Sequence, residues 1–508
     1  MMSIVSKSIL ILRKAAALML LPLLAWSCQL VTDDFDDETA NISNATQYIN
    51  ITISVSASES PFTRANEPKG GEYGDETEKG SDDPENKVNN ITLIFFKDDA
   101  GVNTTNTNTE VLYVKKYEVH VATSDDYPRA HSHKNTEPTS GYHDKEVVYT
   151  TGNQRLEETA LEIGETYQVL VVANADPFVV AGDKIVNVRE KVNALAFAGT
   201  GVGVNATNFV MASETNASVT LSNPTVISEE NKRIYYFDCI HIERLAARID
   251  FWADKSVGYK NDGTYASTPG YEYKVWKGTD TNTPTSNDRF VLTSITLFNL
   301  NNGNEYFFKH TNSSSNPYLH DEVATGTDAN WVIDPYTTGK NGTAHPAYLV
   351  STLTDIRTTF NNTHNVTMAG QQTNKLQIGT GEQKDDIIVG YAKENTLHPD
   401  GDTPLYYYAT GIAFEGYYYR NGTGTGERRV YYHFIRHQGE RETAYDAFTA
   451  DNIDDAKNMC CPTSPAMNFG IVRNNIYRIS INKITEELME LKIKVKKWDK
   501  FEHAPIYM

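Results

Sequence analysis

From Tyr48 the chain alternates. Ile49, Ile51, Ile53 and Val55 are apolar, and Asn50, Thr52 and Ser54 between them are polar. A period of two marks a β-strand with one buried face. The chain closes in the same way. Tyr477, Ile479 and Ile481 share one face, and then Met489, Leu491, Ile493 and Val495 alternate with Glu490, Lys492, Lys494 and Lys496, ahead of Trp498. Between these ends, residues 91–96, 111–122, 168–174, 209–213, 217–221, 233–250, 405–419 and 430–437 read as strands, bounded by polar, Gly-bearing turns. Residues 186–197 are the best helix candidate of the first half, with Val188, Val192 and Leu195 on one face. The polar stretch 440–459 reads as loop, with a second short helix over 451–459. Many strands and few helices predict an all-β sandwich fold.

Ile295-Thr296-Leu297-Phe298 followed by Asn301-Asn302-Gly303 echoes Ile91-Thr92-Leu93-Ile94 followed by Asp98, Asp99 and Gly101. This echo points to two similar sandwiches in tandem, with the boundary expected near Asp238.

The link after the first strand is unusual. Residues 56–60 are polar, Pro61-Phe62-Thr63-Arg64 follows, and residues 65–90 carry Gly70, Gly71, Gly74 and Gly80 among many carboxylates. This link has almost nothing apolar to bury, so it is predicted to be exposed, with Arg64 open to a protease. A strand built for a core is therefore tethered through a segment that can be cut.

Composition narrows the function classes. The 508 residues are 39% hydrophobic, with 30 Tyr, and carry a net charge of −20. Such an acidic chain offers no basic face to neutralise phosphates, which argues against nucleic acid as a partner. Plain solubility accounts for the acidity. The four cysteines, Cys28, Cys239, Cys460 and Cys461, have no metal-site spacing, and the adjacent pair cannot easily bridge to itself. Gly199 to Gly203 and Gly422 to Gly426 are Gly-rich without the strand–turn–helix frame of a phosphate cradle. His131 with His133, and Cys239 with His241, lack a second half for a metal site, and no Gly-x-Ser-x-Gly elbow occurs. No catalytic constellation, cofactor site or metal site is expected, and the chain reads as a non-enzyme.

At the N-terminus, Lys7, Arg13 and Lys14 precede an apolar run over 15–26, too short to span a bilayer. Leu24-Ala25-Trp26-Ser27-Cys28 resembles a bacterial lipobox, with Trp26 where a small residue is usual; the alternative is an ordinary signal peptide with an incidental cysteine. Asp33, Asp34, Asp36, Asp37 and Glu38 follow. They resemble a surface-export signal of outer-membrane lipoproteins, or are a solvated linker.

Further motifs resemble the type V pilins, specifically the stalk subunits (fimbrillins) of the short-fimbria branch. They are Thr63-Arg64-Ala65, Glu85-Asn86-Lys87-Val88, residues 161–174, Phe209-Val210-Met211, the run from Glu243 to Asp250, the run from Tyr431 to His437, and the run from Met467 to Tyr477. The resemblance implies two tandem transthyretin-like β-sandwich domains. It divides the chain into a lipoprotein signal peptide (1–28), a propeptide with a temporary strand (29–64), sandwiches over 65–238 and 239–488, and a donor-strand tail (489–508). It implies lipidation at Cys28, export to the outer membrane, and cleavage between Arg64 and Ala65 by an arginine-specific, gingipain-like protease. The strand of Ile49, Ile51, Ile53 and Val55 would then be displaced, and a neighbour's tail (Met489, Leu491, Ile493, Val495, Trp498) would take its place. Implied partners are other copies of the chain in a head-to-tail filament, with fimbrial anchor and tip subunits. The basic tail (Lys492, Lys494, Lys496, Lys497, Lys500) on an acidic chain suggests charge steering between copies, or protection of an exposed strand edge. The alternative is a tip adhesin or surface glycan-binding lipoprotein of similar fold, with Tyr406 to Tyr408 and Tyr417 to Tyr419 available to stack on sugars.

Overall fold

The computed structural model describes residues 45–55 and 85–497, apart from segments 98–108, 120–147, 194–207, 253–257, 262–269, 277–286, 312–331, 337–348, 351–374, 378–385, 397–407, 436–442, 450–469 and a few shorter breaks. The chain forms two tandem β-sandwiches with very few helical turns. The first half contributes β1 (Thr46–Ser54), β2 (Asn90–Lys97), β3 (Val111–Glu118), β4 (Val148–Thr150), β5 (Gln154–Arg155), β6 (Thr166–Ala173), β7 (Val192–Asn193), β8 (Met211–Ser213), β9 (Ala217–Thr220), β10 (Thr225–Ile227) and β11 (Lys232–Arg244). Its main sheet runs β3-β2-β6-β8-β11-β1-β4, with β5 also on β1, β9 on β6 and β10 on β11.

This sheet folds over its own core. Phe95 of β2 meets Phe237 of β11 edge-to-face at 5.9 Å, although two strands lie between them in the sheet. The two ends also meet, because Gln154 of β5 donates from Nε2 to the Tyr113 hydroxyl of β3 at 2.9 Å. β2 and β6 are buried on both faces, which explains their unbroken apolar runs. Leu93 and Val171 face the main core, whereas Ile94 and Val172 face a second cluster. That second cluster includes Ile185 and Val188 of the short helix α1 (Ile185–Arg189). The helix expected over 186–197 stops here because Val192–Asn193 instead pairs with Glu305–Tyr306 of the second half.

β12 (Ala246–Trp252) opens the second half. The main sheet of this half runs Gly258–Asn261, Gly270–Lys274, Arg289–Phe298, Gly411–Tyr419, Glu427–Phe434, Thr443–Thr449, Met489–Lys497, Asn475–Ile484, β12 and Asp386–Lys393. Phe251 of β12 reaches Tyr271 and Phe414 across its core at 6.0 and 5.8 Å. The two halves share one topological device. β1 pairs parallel with β11, the last strand of its half, and β12 pairs parallel with Asn475–Ile484. This supports the duplication suggested by the echoed motifs, and both echoed segments are strands.

Two expectations need correction. Asp238 lies inside β11, and the change of sheet comes at Leu245, between β11 and β12. The pattern misleads because Asp238 and Cys239 form a bulge opposite β1, where the register steps from Ile51↔Phe237 to Ile53↔Ile240. A bulge inserts a residue and flips the inward parity, so Tyr235 and Phe237 point inward before it and Ile240 and Ile242 after it. The stretch 440–459, read as loop, contains the strand Thr443–Thr449, and 451–459 lies outside the described residues. The run Gly422 to Gly426 is a hairpin connection, with Asn421, Gly422 and Gly424 at positive φ.

Candidate functional site

β1 occupies a slot in the first sandwich. One edge pairs parallel with β11 from Thr46↔Lys232 to Ser54↔His241. The other edge pairs antiparallel with β4 and β5. Ile49, Ile51, Ile53 and Val55 are all buried in the main core, beside Leu93, Val169 and Phe237. At roughly 1.5–3 kcal/mol each, four such side chains give about 6–12 kcal/mol of gross burial. On the outer face, Lys232 lies over the Tyr48 ring at 5.7 Å, and Asn50 donates to Asn153 at 2.9 Å. Removing β1 would strip β11 of its ladder along one edge and open an apolar slot.

The tail strand sits differently from the expectation. Met489–Lys497 is an interior strand of the second sandwich, with Asn475–Ile484 on one side and Thr443–Thr449 on the other. Met489, Leu491 and Ile493 are buried in that core with Tyr477, Ile479 and Ile481, and Val495 pairs with Tyr477. Met489, Leu491, Ile493 and Val495, expected to form the donor strand, are thus part of their own sandwich in the single chain. Pulling the strand out would break two ladders and empty a core. Lys492, Lys494 and Lys496 belong to the same built-in strand. Trp498 and the rest of the tail lie outside the described residues, as do Cys28, Arg64 and Ala65.

The family-like motifs converge on the seam between the sandwiches, which sequence reasoning did not foresee. Glu85 precedes β2 and is buried. Its Oε2 pairs with Arg248 Nη1 at 2.9 Å, its Oε1 accepts from the Tyr391 hydroxyl at 2.5 Å, and its carbonyl accepts from Arg244 Nε at 2.8 Å. Arg248 also binds Asp250, with Nε to Oδ1 at 3.0 Å and Nη2 to Oδ2 at 2.9 Å. Burial, reinforced by the Glu85 carboxylate, pushes the Tyr391 phenol well above its usual range. The Tyr391 ring packs on Phe209 at 5.0 Å. Asn474, at φ 54, receives long bonds from Arg244 and donates its own N–H to the Ala246 carbonyl at 2.8 Å. Asparagine tolerates this left-handed conformation.

A second buried cluster lies nearby. Arg473 is fully enclosed and binds Glu394 Oε2 at 2.5 Å and the carbonyls of Tyr306 and Phe307 at 2.8 and 2.9 Å. Lys309 pairs with Glu243 at 2.9 Å. Phe307 stacks on Phe178 of the first half at 4.0 Å. Glu305 accepts a 3.3 Å bond from Asn193, and burial raises its carboxyl to about 8 although Lys393 and Arg473 oppose the shift. Buried charges of this kind need partners, and the pattern that signals them is charged residues alternating inside apolar strands, as from Glu243 to Asp250.

Among the described residues, no group of three or more His, Cys, Asp or Glu could hold a metal ion, and no helix is long and apolar enough to cross a membrane. Cys239 lies in β11, whereas Cys460, Cys461, His131 and His133 fall outside the described residues.

No protein-family profile and no curated protein sequence matches the chain. Solved structures similar to it include the tip fimbrial protein Mfa3 from Porphyromonas gingivalis with a C-terminal truncation (11% identity, 89% of this chain and 100% of that chain, TM-score 0.38). Others are a fimbrilin, FimA, from P. gingivalis (10% identity, 90% and 98%, TM-score 0.35) and a fimbrial assembly protein from Parabacteroides distasonis (13% identity, 89% and 98%, TM-score 0.34).

Proposed function

We propose that this chain is a structural subunit of a cell-surface fimbrium that polymerises when its first strand is cut away and replaced by a strand from a neighbour. The placement of β1 carries this reading: it is a core strand whose inward face, Ile49, Ile51, Ile53 and Val55, is buried, and it is joined to the rest of its sandwich through Thr63-Arg64-Ala65. The precursor is lipidated at Cys28 and held at the outer membrane until an arginine-specific protease cuts after Arg64. Strand replacement restores the lost ladder and refills the slot. Repeated head-to-tail, the contact does not close and grows a filament. Because Met489–Lys497 is built into its own sandwich, the donor in this proposal is the segment 498–508 that follows it.

The same observation favours a second reading, a tip adhesin that accepts a strand and donates none. Deleting 498–508 separates the two: a stalk subunit then stops chain growth, whereas a tip subunit still caps fibres. Arg64→Ala tests the cut, and should leave lipidated, monomeric precursor and no filaments of this chain.

A further inference from the structure

The second wall of the β1 slot is built from a short arm rather than from the body of the sandwich. Among the described residues, β4 and β5 pair with β1 and with no other strand. The arm holds β1 by its backbone ladder and by side chains. Ile51 donates its N–H to Thr151 Oγ1 at 3.1 Å, and Thr151 donates its N–H to the Ile51 carbonyl at 3.0 Å. Asn153 binds Asn50. The far end of the arm pairs with β1 too, but it has anchors besides β1. Gln154 binds the hydroxyls of both Tyr113 and Tyr117 on β3, and Leu156 is buried in the core just after it. β11, the opposite wall, also pairs with β8 and β10.

We propose that β4 with Thr151 and Asn153 forms a strap, hinged at Gln154, that leaves the sheet together with β1 and closes again over whichever strand next fills the slot. This deepens the cut-and-replace reading and rests on it. Among the described residues, loss of β1 leaves no ladder for the strap, so the slot opens sideways along its length. An incoming strand docks laterally on β11 and is then covered, without threading end-on between two fixed walls. Strap closure adds the second ladder after docking and so slows departure.

The test uses the uncut full-length chain, so its result stands apart from whether Arg64 is cleaved. Native-state amide hydrogen exchange is compared between wild type and Ile53→Ala, which removes buried methyls from β1 without touching the strap's own residues. Exchange at β1 and at the amides of β4, Thr151 and Asn153 should both rise by about thirtyfold or more, the low end for an isoleucine-to-alanine cavity. The amides of β2 and β6 should be unchanged. Ile53→Val, a milder change, should give the same pattern with about a two- to tenfold rise. Strap rates that do not respond overturn the proposal, because the strap would then hold or fray independently of β1. An equal rise in β2 and β6 also overturns it, because strap and sandwich would then open as one unit.

Discussion

Arg248 is the most exacting test of the seam between the sandwiches. Its guanidinium serves Glu85 and Asp250 together, and all three side chains are no more than 5% exposed. Arg248→Met keeps much of the volume and removes the charge. Two carboxylates are then left in the seam, with the Tyr391 hydroxyl still donating to Glu85. Breaking one side of a buried pair costs about 3–5 kcal/mol, because the remaining charge is desolvated and uncompensated. An exposed pair is the control: Arg155 and Glu157 meet at 3.1 Å at the surface, and Arg155→Ala should cost less than about 1 kcal/mol. Urea unfolding at neutral pH reads both. Arg248→Met should lower the midpoint by the equivalent of about 3 kcal/mol or more, with the seam opening before the sandwiches. A loss within about 1 kcal/mol would refute the claim that these charges are sealed from water.

Glu305 gives a pH signature. Its folded value, raised to about 8 by burial, exceeds its unfolded value. Its contribution is therefore complete in acid and is lost as pH rises from about 4.5 until it levels off near 8, at up to about 1.4 kcal/mol per pH unit. Glu305→Gln should flatten that decline in urea midpoints measured from mild acid to mild alkali; an unchanged slope would contradict the assignment. Deleting 498–508 should leave thermal stability close to wild type while blocking chain growth, measured by scanning calorimetry and electron microscopy. Ile493→Asp, which places a charge in the second core, should destabilise by about 3 kcal/mol or more in the same unfolding assay.

The outer strands were legible because their alternation is clean. Ile49, Ile51, Ile53 and Val55 bury the face that the pattern predicts. The pattern does not say whose sheet receives that face: Met489 to Val495 read as a donor strand, and in the single chain the strand completes its own sandwich. The boundary near Asp238 was displaced because a bulge imitates the end of a strand. The helix candidate failed at Val192, where a cross-seam strand pair overrides helical propensity. Glu85, Arg248 and Asn474 stood out as family-like motifs, but their convergence depends on contacts between residues far apart in sequence.

In the proposed assembly, β1 is a placeholder. N-terminal sequencing of the subunit purified from assembled surface fibres tests it most directly. A placeholder leaves fibres whose chains begin at Ala65, free of β1. Fibres whose subunits still carry a lipidated Cys28 terminus and an intact β1 would contradict it.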